Sequence, residues 1–166
     1  MRGVRRTIGI LLVGMALLGA GAIHASAAAA PAQYFITPTW GTLSSHLGWR
    51  RDPFRQNTWQ HHWGIDIAAR FGMPVVASAT GVVRYAGWFG GYGRVVYLEH
   101  GQGWATLYAH LSHFYVRPGQ IVKQASAIGA VGTAGRSTGP HLHFEIRYKN
   151  VPLDPLAYLG RRSASR

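Results

Sequence analysis

The 166-residue chain contains no cysteine. Disulfides are therefore excluded, and thiolate is removed from the available nucleophiles and metal ligands. Acidic residues are scarce, five against 17 lysines and arginines, for a formal net charge of +12. Charged residues make up only 13% of the chain, about half the usual share. A surface ion-pair network cannot carry such a fold, which has to rest on burial of the 48% of residues that are hydrophobic. Beyond residue 41 no amphipathic stretch of about 10 residues shows a helical period, and no internal repeat is visible.

What the chain has instead is glycine, 22 residues of it, with few helix formers, which points to tight turns between short strands. Strands rich in β-branched and aromatic residues are expected at 75–77, 81–86, 94–99, 104–109, 121–123, 127–131 and 142–148. Gly90-Gly91-Tyr92-Gly93, Gly101-Gln102-Gly103 and Pro118-Gly119 read as the turns between them. The expectation is an all-β single domain of antiparallel sheets spanning residues 41–160. Residues 41–60 read as loop with one short strand at most. Residues 28–40 read as a short mobile leader, and the basic tail 161–166 as disordered.

The N-terminus has the form of an export signal. Arg2, Arg5 and Arg6 precede an uncharged apolar run from Ile8 to Ile23, and Ala25-Ser26-Ala27 fits a cleavage site. The run is shorter than the ~20 residues a membrane span needs, although an uncleaved anchor is the alternative. Residues 1–27 are thus expected to be a signal peptide and the protein to be exported, to the periplasm or cell envelope or into the medium. Loss of that segment removes three arginines and no acid, leaving +9. This charge suits anionic wall polymers or lipid headgroups, not nucleic acid, which an exported chain rarely meets.

Five of the nine histidines fall in three strings: His61-His62-Trp63-Gly64-Ile65-Asp66, Tyr108-Ala109-His110-Leu111 and His141-Leu142-His143-Phe144-Glu145. In a strand, residues i and i+2 share a face, so His141 and His143 project together while Leu142 and Phe144 point to a core. Gly64 and two isoleucines disfavour a helix at 62–66, so a loop entering a strand is expected there. Asp66 lies between Ile65 and Ile67, where a carboxylate is costly unless paired or metal-bound. A salt bridge to Arg50 or Arg70 is the plainer alternative. A His/Asp/His set with one open position is the pattern of a catalytic zinc site, and neighbouring imidazoles suit proton transfer during amide hydrolysis. The residues alone leave open which of His141 and His143 would bind the metal.

The ordered strings His62-Trp-Gly-Ile-Asp66, Tyr108-Ala-His110-Leu and Ser137-Thr-Gly-Pro-His141-Leu-His143-Phe-Glu145 resemble those of the lysostaphin/LytM-type murein metalloendopeptidases, over about residues 41–159. The resemblance implies one Zn²⁺ held by His62, Asp66 and His143. It also implies catalytic roles for His110 and His141 beside the metal, a groove over the zinc, and peptidoglycan cross-links as substrate. The alternative within the same resemblance is a non-catalytic module that activates a wall amidase, although such members usually lack several of these residues. Ala125 and Ala134 depart mildly from the pattern, which has glycine and a hydroxyl-bearing residue there. Other residues read as structural. His61 points away from the site, His100 is a hydrogen-bonded strand end, and His46 and His113 lie in surface loops. Glu145 reads first as a surface salt bridge with Arg147 or Lys149 and second as support for a metal ligand. Arg50 and Asp52 brace a loop, and the six tryptophans are mostly core or groove wall.

Overall fold

The structure is a computed structural model and describes residues 34–55 and 57–160. The expected signal peptide (1–27), the first part of the leader and the basic tail (161–166) lie outside the described residues. Among those described, the elements are thirteen strands and two single 3-10 turns, Gly90–Tyr92 and Pro155–Ala157, with no α-helix. The strands are β1 (Thr42–Ser45), β2 (Gly48–Arg51), β3 (Trp59–His62), β4 (Ile65–Ala68), β5 (Pro74–Val76), β6 (Gly81–Trp88), β7 (Arg94–Gly101), β8 (Trp104–Ala109), β9 (Leu111–Phe114), β10 (Ile121–Val122), β11 (Ala127–Val131), β12 (His141–Tyr148) and β13 (Val151–Leu153).

Eight strands form one antiparallel sheet in the order β1-β4-β12-β8-β7-β6-β10, with β13 added to β12. A second sheet runs β5-β11-β9, and β2-β3 is a separate hairpin. The central strand β12 alternates as its sequence demands. Leu142, Phe144 and Ile146 enter the main core together with Ile65 and Ile67 of β4, Tyr108 of β8, and Val75 and Ile128 of the smaller sheet. Full burial of each such aliphatic or aromatic side chain contributes about 1.5–3 kcal/mol. The opposite face of β12 carries His141, His143, Glu145 and Arg147. Next to it, Val95, Leu107 and Ala109 make a smaller apolar cluster against which Tyr92 packs.

All seven expected strands are present, and 104–109 and 127–131 have the expected limits. The segment 41–60 is more ordered than expected, holding β1, β2 and the start of β3. The leader boundary is corrected as well. Phe35 is 0% exposed, meets the Trp104 ring edge-on at 5.5 Å and bridges Leu159 in parallel. The packed domain therefore includes Phe35, upstream of Gly41. His113 is exposed on β9 instead of in a loop. Among the tryptophans only Trp104 is core, and Trp63 lines the groove. Trp40, Trp49, Trp59 and Trp88 are exposed.

Candidate metal centre

The register of the large sheet assembles the site. His143 of β12 lies directly opposite Asp66 of β4 on one side and Ala109 of β8 on the other. His110 follows immediately after β8, and His62 ends the β3 arm of the hairpin, opposite Gly48. Three ligand-type atoms converge. His62 Nε2 is 3.0 Å from Asp66 Oδ1, His143 Nδ1 is 2.9 Å from the same oxygen, and the two nitrogens are 2.8 Å apart. All three residues are buried.

The outer bonds of these residues fix their tautomers. His62 Nδ1 is 2.7 Å from the backbone carbonyl of His46, which can only accept, so that nitrogen carries the hydrogen and Nε2 presents a lone pair. His143 Nε2 is 3.0 Å from Glu145 Oε1, a carboxylate oxygen, so its Nδ1 is likewise a lone pair. With the Asp66 oxygen, three lone pairs face one another in a buried space. Such an arrangement needs a cation between them, and the donor set suits one: two imidazoles and a carboxylate. Without a metal, protons must fill that role. Burial alone would lower His143, but its bonds to the Asp66 and Glu145 carboxylates outweigh this and raise it above the ordinary imidazole range. Burial alone would raise Asp66, but the His143 and His62 rings hold it far below the usual carboxylate range.

Arg50 Nη1 donates to the other oxygen of Asp66, Oδ2, at 2.9 Å. The salt-bridge alternative is present at Oδ2, while the candidate-ligand cluster draws on Oδ1, so the two readings use different oxygens of one carboxylate. Arg50 also donates to Ser45 Oγ at 2.6 Å. Asp52 accepts from the backbone N–H of Phe54 at 2.8 Å and pairs with Arg136, bracing the loop as expected.

His110 and His141 stand beside this cluster, their ring centroids 4.7 Å apart. His110 Nδ1–H donates to the Ala134 carbonyl at 2.7 Å and His141 Nδ1–H to the Gly139 carbonyl at 2.8 Å, leaving Nε2 of each as an acceptor. His141 Nε2 is 3.8 Å from Asp66 Oδ1. Burial pushes His110 down to about 4, so it is unprotonated at neutral pH. His110 also takes a left-handed backbone, φ 59°, uncommon for a residue with a Cβ and frequent at functional sites. Ala125 does the same at φ 67°, in agreement with the glycine expected there.

The five residues singled out from the sequence lie in one groove of about 540 Å³, whose walls include Ser45, Phe54, Trp63, Tyr92 and Arg136. Glu145 is not a surface residue. It is 0% exposed and serves both the expected Arg147 pair, at 2.6 Å, and His143. His61 lies on the opposite face of β3 from His62, 4.1 Å from the Trp63 ring between centroids, at the groove rim. His100 is bonded at its strand end to Thr80 and Thr106 as expected. Sequence reasoning missed Tyr92, whose only local signal is a glycine-rich turn, and the carbonyls of His46 and Ala134, which no side-chain pattern announces.

A groove over an antiparallel sheet, lined by imidazoles and one buried carboxylate with their lone pairs turned inward, is a candidate metal centre. The chain belongs to peptidase family M23, whose family description matches residues 60–155. It is 49% identical over 115 residues to the DD-carboxypeptidase/endopeptidase Mpg of Neisseria meningitidis, covering 69% of this chain and 26% of that protein. It is 43% identical over 100 residues to the murein hydrolase activator NlpD of Salmonella typhimurium, covering 60% and 26%. The chain thus spans about a quarter of the length of these relatives. The catalytic domain of the antimicrobial peptidase lysostaphin from Staphylococcus simulans superposes with a TM-score of 0.65 at 30% identity, over 71% of this chain and 91% of that domain. Both the resemblance seen in the sequence strings and the antiparallel β fold are borne out.

Proposed function

We propose that this protein is a zinc-dependent endopeptidase that hydrolyses amide bonds in the peptide cross-links of bacterial peptidoglycan and works outside the cytoplasm, in the cell envelope. In this reading His62, Asp66 and His143 hold one Zn²⁺, which when bound supplies Lewis acidity toward the amide carbonyl and toward water. His110 and His141 handle the proton. Each offers an Nε2 lone pair that can take a proton from water, and the imidazolium so formed can return it to the departing amine. The low basicity of His110 keeps it in the accepting form at neutral pH. The basic surface, +12 on the full chain, would draw the enzyme to anionic wall polymers or lipid headgroups.

The observation that carries this reading is the convergence of His62 Nε2, Asp66 Oδ1 and His143 Nδ1 with their outer nitrogens already bonded. Purified sacculi of defined chemistry test it, with the products identified by mass spectrometry. Cleavage should stop with chelator and return with Zn²⁺. Asp66→Asn should lose metal by at least tenfold in affinity and lose turnover with it. A His143→Ala protein that holds no metal and still cleaves overturns the assignment. A second reading, activation of a wall amidase, draws on the NlpD relative. It predicts no cleavage by the protein alone and accelerated release of stem peptides when an amidase is added.

A further inference from the structure

We infer that Tyr92 is a positioning residue: its hydroxyl holds the Glu145 carboxylate, which in turn holds His143 in the tautomer that faces Asp66 and His62. This rests on the reading of those three residues as metal ligands, and it adds a clamp behind them.

Glu145 is the most buried acid of the described chain, 0% exposed, and such a carboxylate persists only when fully bonded. Its Oε1 accepts from His143 Nε2 at 3.0 Å and from the Tyr92 hydroxyl at 2.7 Å. Its Oε2 accepts from Arg147 Nε at 2.6 Å. Arg147 balances the charge but sits two residues along the same strand, on the side away from His143. Alone it would draw the carboxylate toward a two-pronged ion pair and off the imidazole. The Tyr92 hydroxyl counters that pull by binding Oε1, the same oxygen the imidazole N–H meets. A phenol facing a carboxylate oxygen at 2.7 Å can only be the donor.

Tyr92 is itself well anchored. The Gly90–Tyr92 turn is closed by Phe89 N–H donating to the Gly93 carbonyl at 2.8 Å, and Arg136 N–H donates to the Gly91 carbonyl at 2.8 Å. The Tyr92 ring packs on His143 with centroids 5.3 Å apart, and its carbonyl accepts the His110 N–H at 2.9 Å. One residue therefore touches both the metal-holding ring and the backbone of the proton acceptor.

Tyr92→Phe deletes one oxygen and keeps the ring. Zn²⁺ affinity of the purified protein, measured by competition with a chelating dye, should fall by roughly 10- to 100-fold, the usual effect of losing an outer partner of a ligating histidine. On soluble cross-linked muropeptides, at saturating Zn²⁺, kcat should fall with KM unchanged. Glu145→Gln should weaken Zn²⁺ comparably, because its NH₂ must confront either the Arg147 or the His143 N–H. The double variant should be no worse than Glu145→Gln alone, since both act through one path. Unchanged Zn²⁺ affinity in Tyr92→Phe, or additive losses in the double variant, overturns the inference while leaving the metal reading intact. A wild-type protein that takes up no Zn²⁺ overturns both.

Discussion

Gly64 stands between two candidate ligands, and Gly64→Ala should disturb the site out of proportion to its size. The backbone there is not left-handed, so alanine meets no conformational penalty. Through the unfolded chain alone it would stabilise by about 0.4–1 kcal/mol. The methyl, however, would press into the Phe144 carbonyl oxygen and lie 2.9 Å from Glu145 Cγ. Carbon–oxygen contacts settle at about 3.3–3.6 Å, so one side must retreat by roughly 1 Å. β12 cannot give way, because β4 and β8 bond it on both sides. The β3–β4 corner moves instead, carrying His62 and Asp66 away from His143. Overpacking of this kind costs about 1–3 kcal/mol, which exceeds the entropic gain. A displacement near 1 Å at a reacting centre can cost about 100-fold in rate. Thermal melting in chelator should show the stability loss, and Zn²⁺ competition a fall in affinity of at least tenfold. A Gly64→Ala protein with wild-type melting and wild-type affinity would refute the reasoning, since it would mean that the corner is soft and does not set the donor positions.

Phe35→Ala should cost about 3–5 kcal/mol in chemical denaturation, as expected of a large aromatic removed from a core. Trp40→Ala, at an 85% exposed position, should stay within about 0.5 kcal/mol. Equal effects would return Phe35 to an unpacked leader. Stability in chelator should fall as the pH drops from about 6.5 towards 4. Over that window the unfolded His110 binds a proton, while the folded one, held at about 4 by burial, does not, so acid favours unfolding. At about 1.4 kcal/mol per pKa unit the full effect is of order 3 kcal/mol. His100, also lowered by burial, adds in the same direction. His110→Asn should flatten the dependence of Tm on pH, and an unchanged slope would count against a buried neutral imidazole.

The sequence displays the parts of this site whose signals are local. Alternation in His141-Leu142-His143-Phe144-Glu145 announces a strand with one apolar face, and β12 is that strand. Segments joined to the rest by distant contacts are silent. Phe35 sits in the short run Tyr34-Phe35-Ile36 between prolines, too brief to announce an element, and contacts with the distant His100, Trp104 and Leu159 make it core. β1 to β3 are four residues each, TLSS, GWRR and WQHH, and mostly polar, so their pairing comes from register with neighbours more than from propensity. Tyr92 looks like a turn residue because its partner Glu145 lies 53 positions away.

The donor geometry nevertheless follows from the hydrophobic pattern. On β4, Ile65 and Ile67 must face the core, and on β12 so must Leu142 and Phe144. Those demands fix the pairing Leu142↔Ile67 and Phe144↔Ile65, and His143↔Asp66 falls between them. A slip of one residue would turn an isoleucine toward the groove and the carboxylate into the core, where every buried side chain opposes it. The candidate donors are therefore held opposite one another by the same burial that stabilises the sheet, and a core substitution in β4 or β12 that shifts register should abolish metal binding before it abolishes folding.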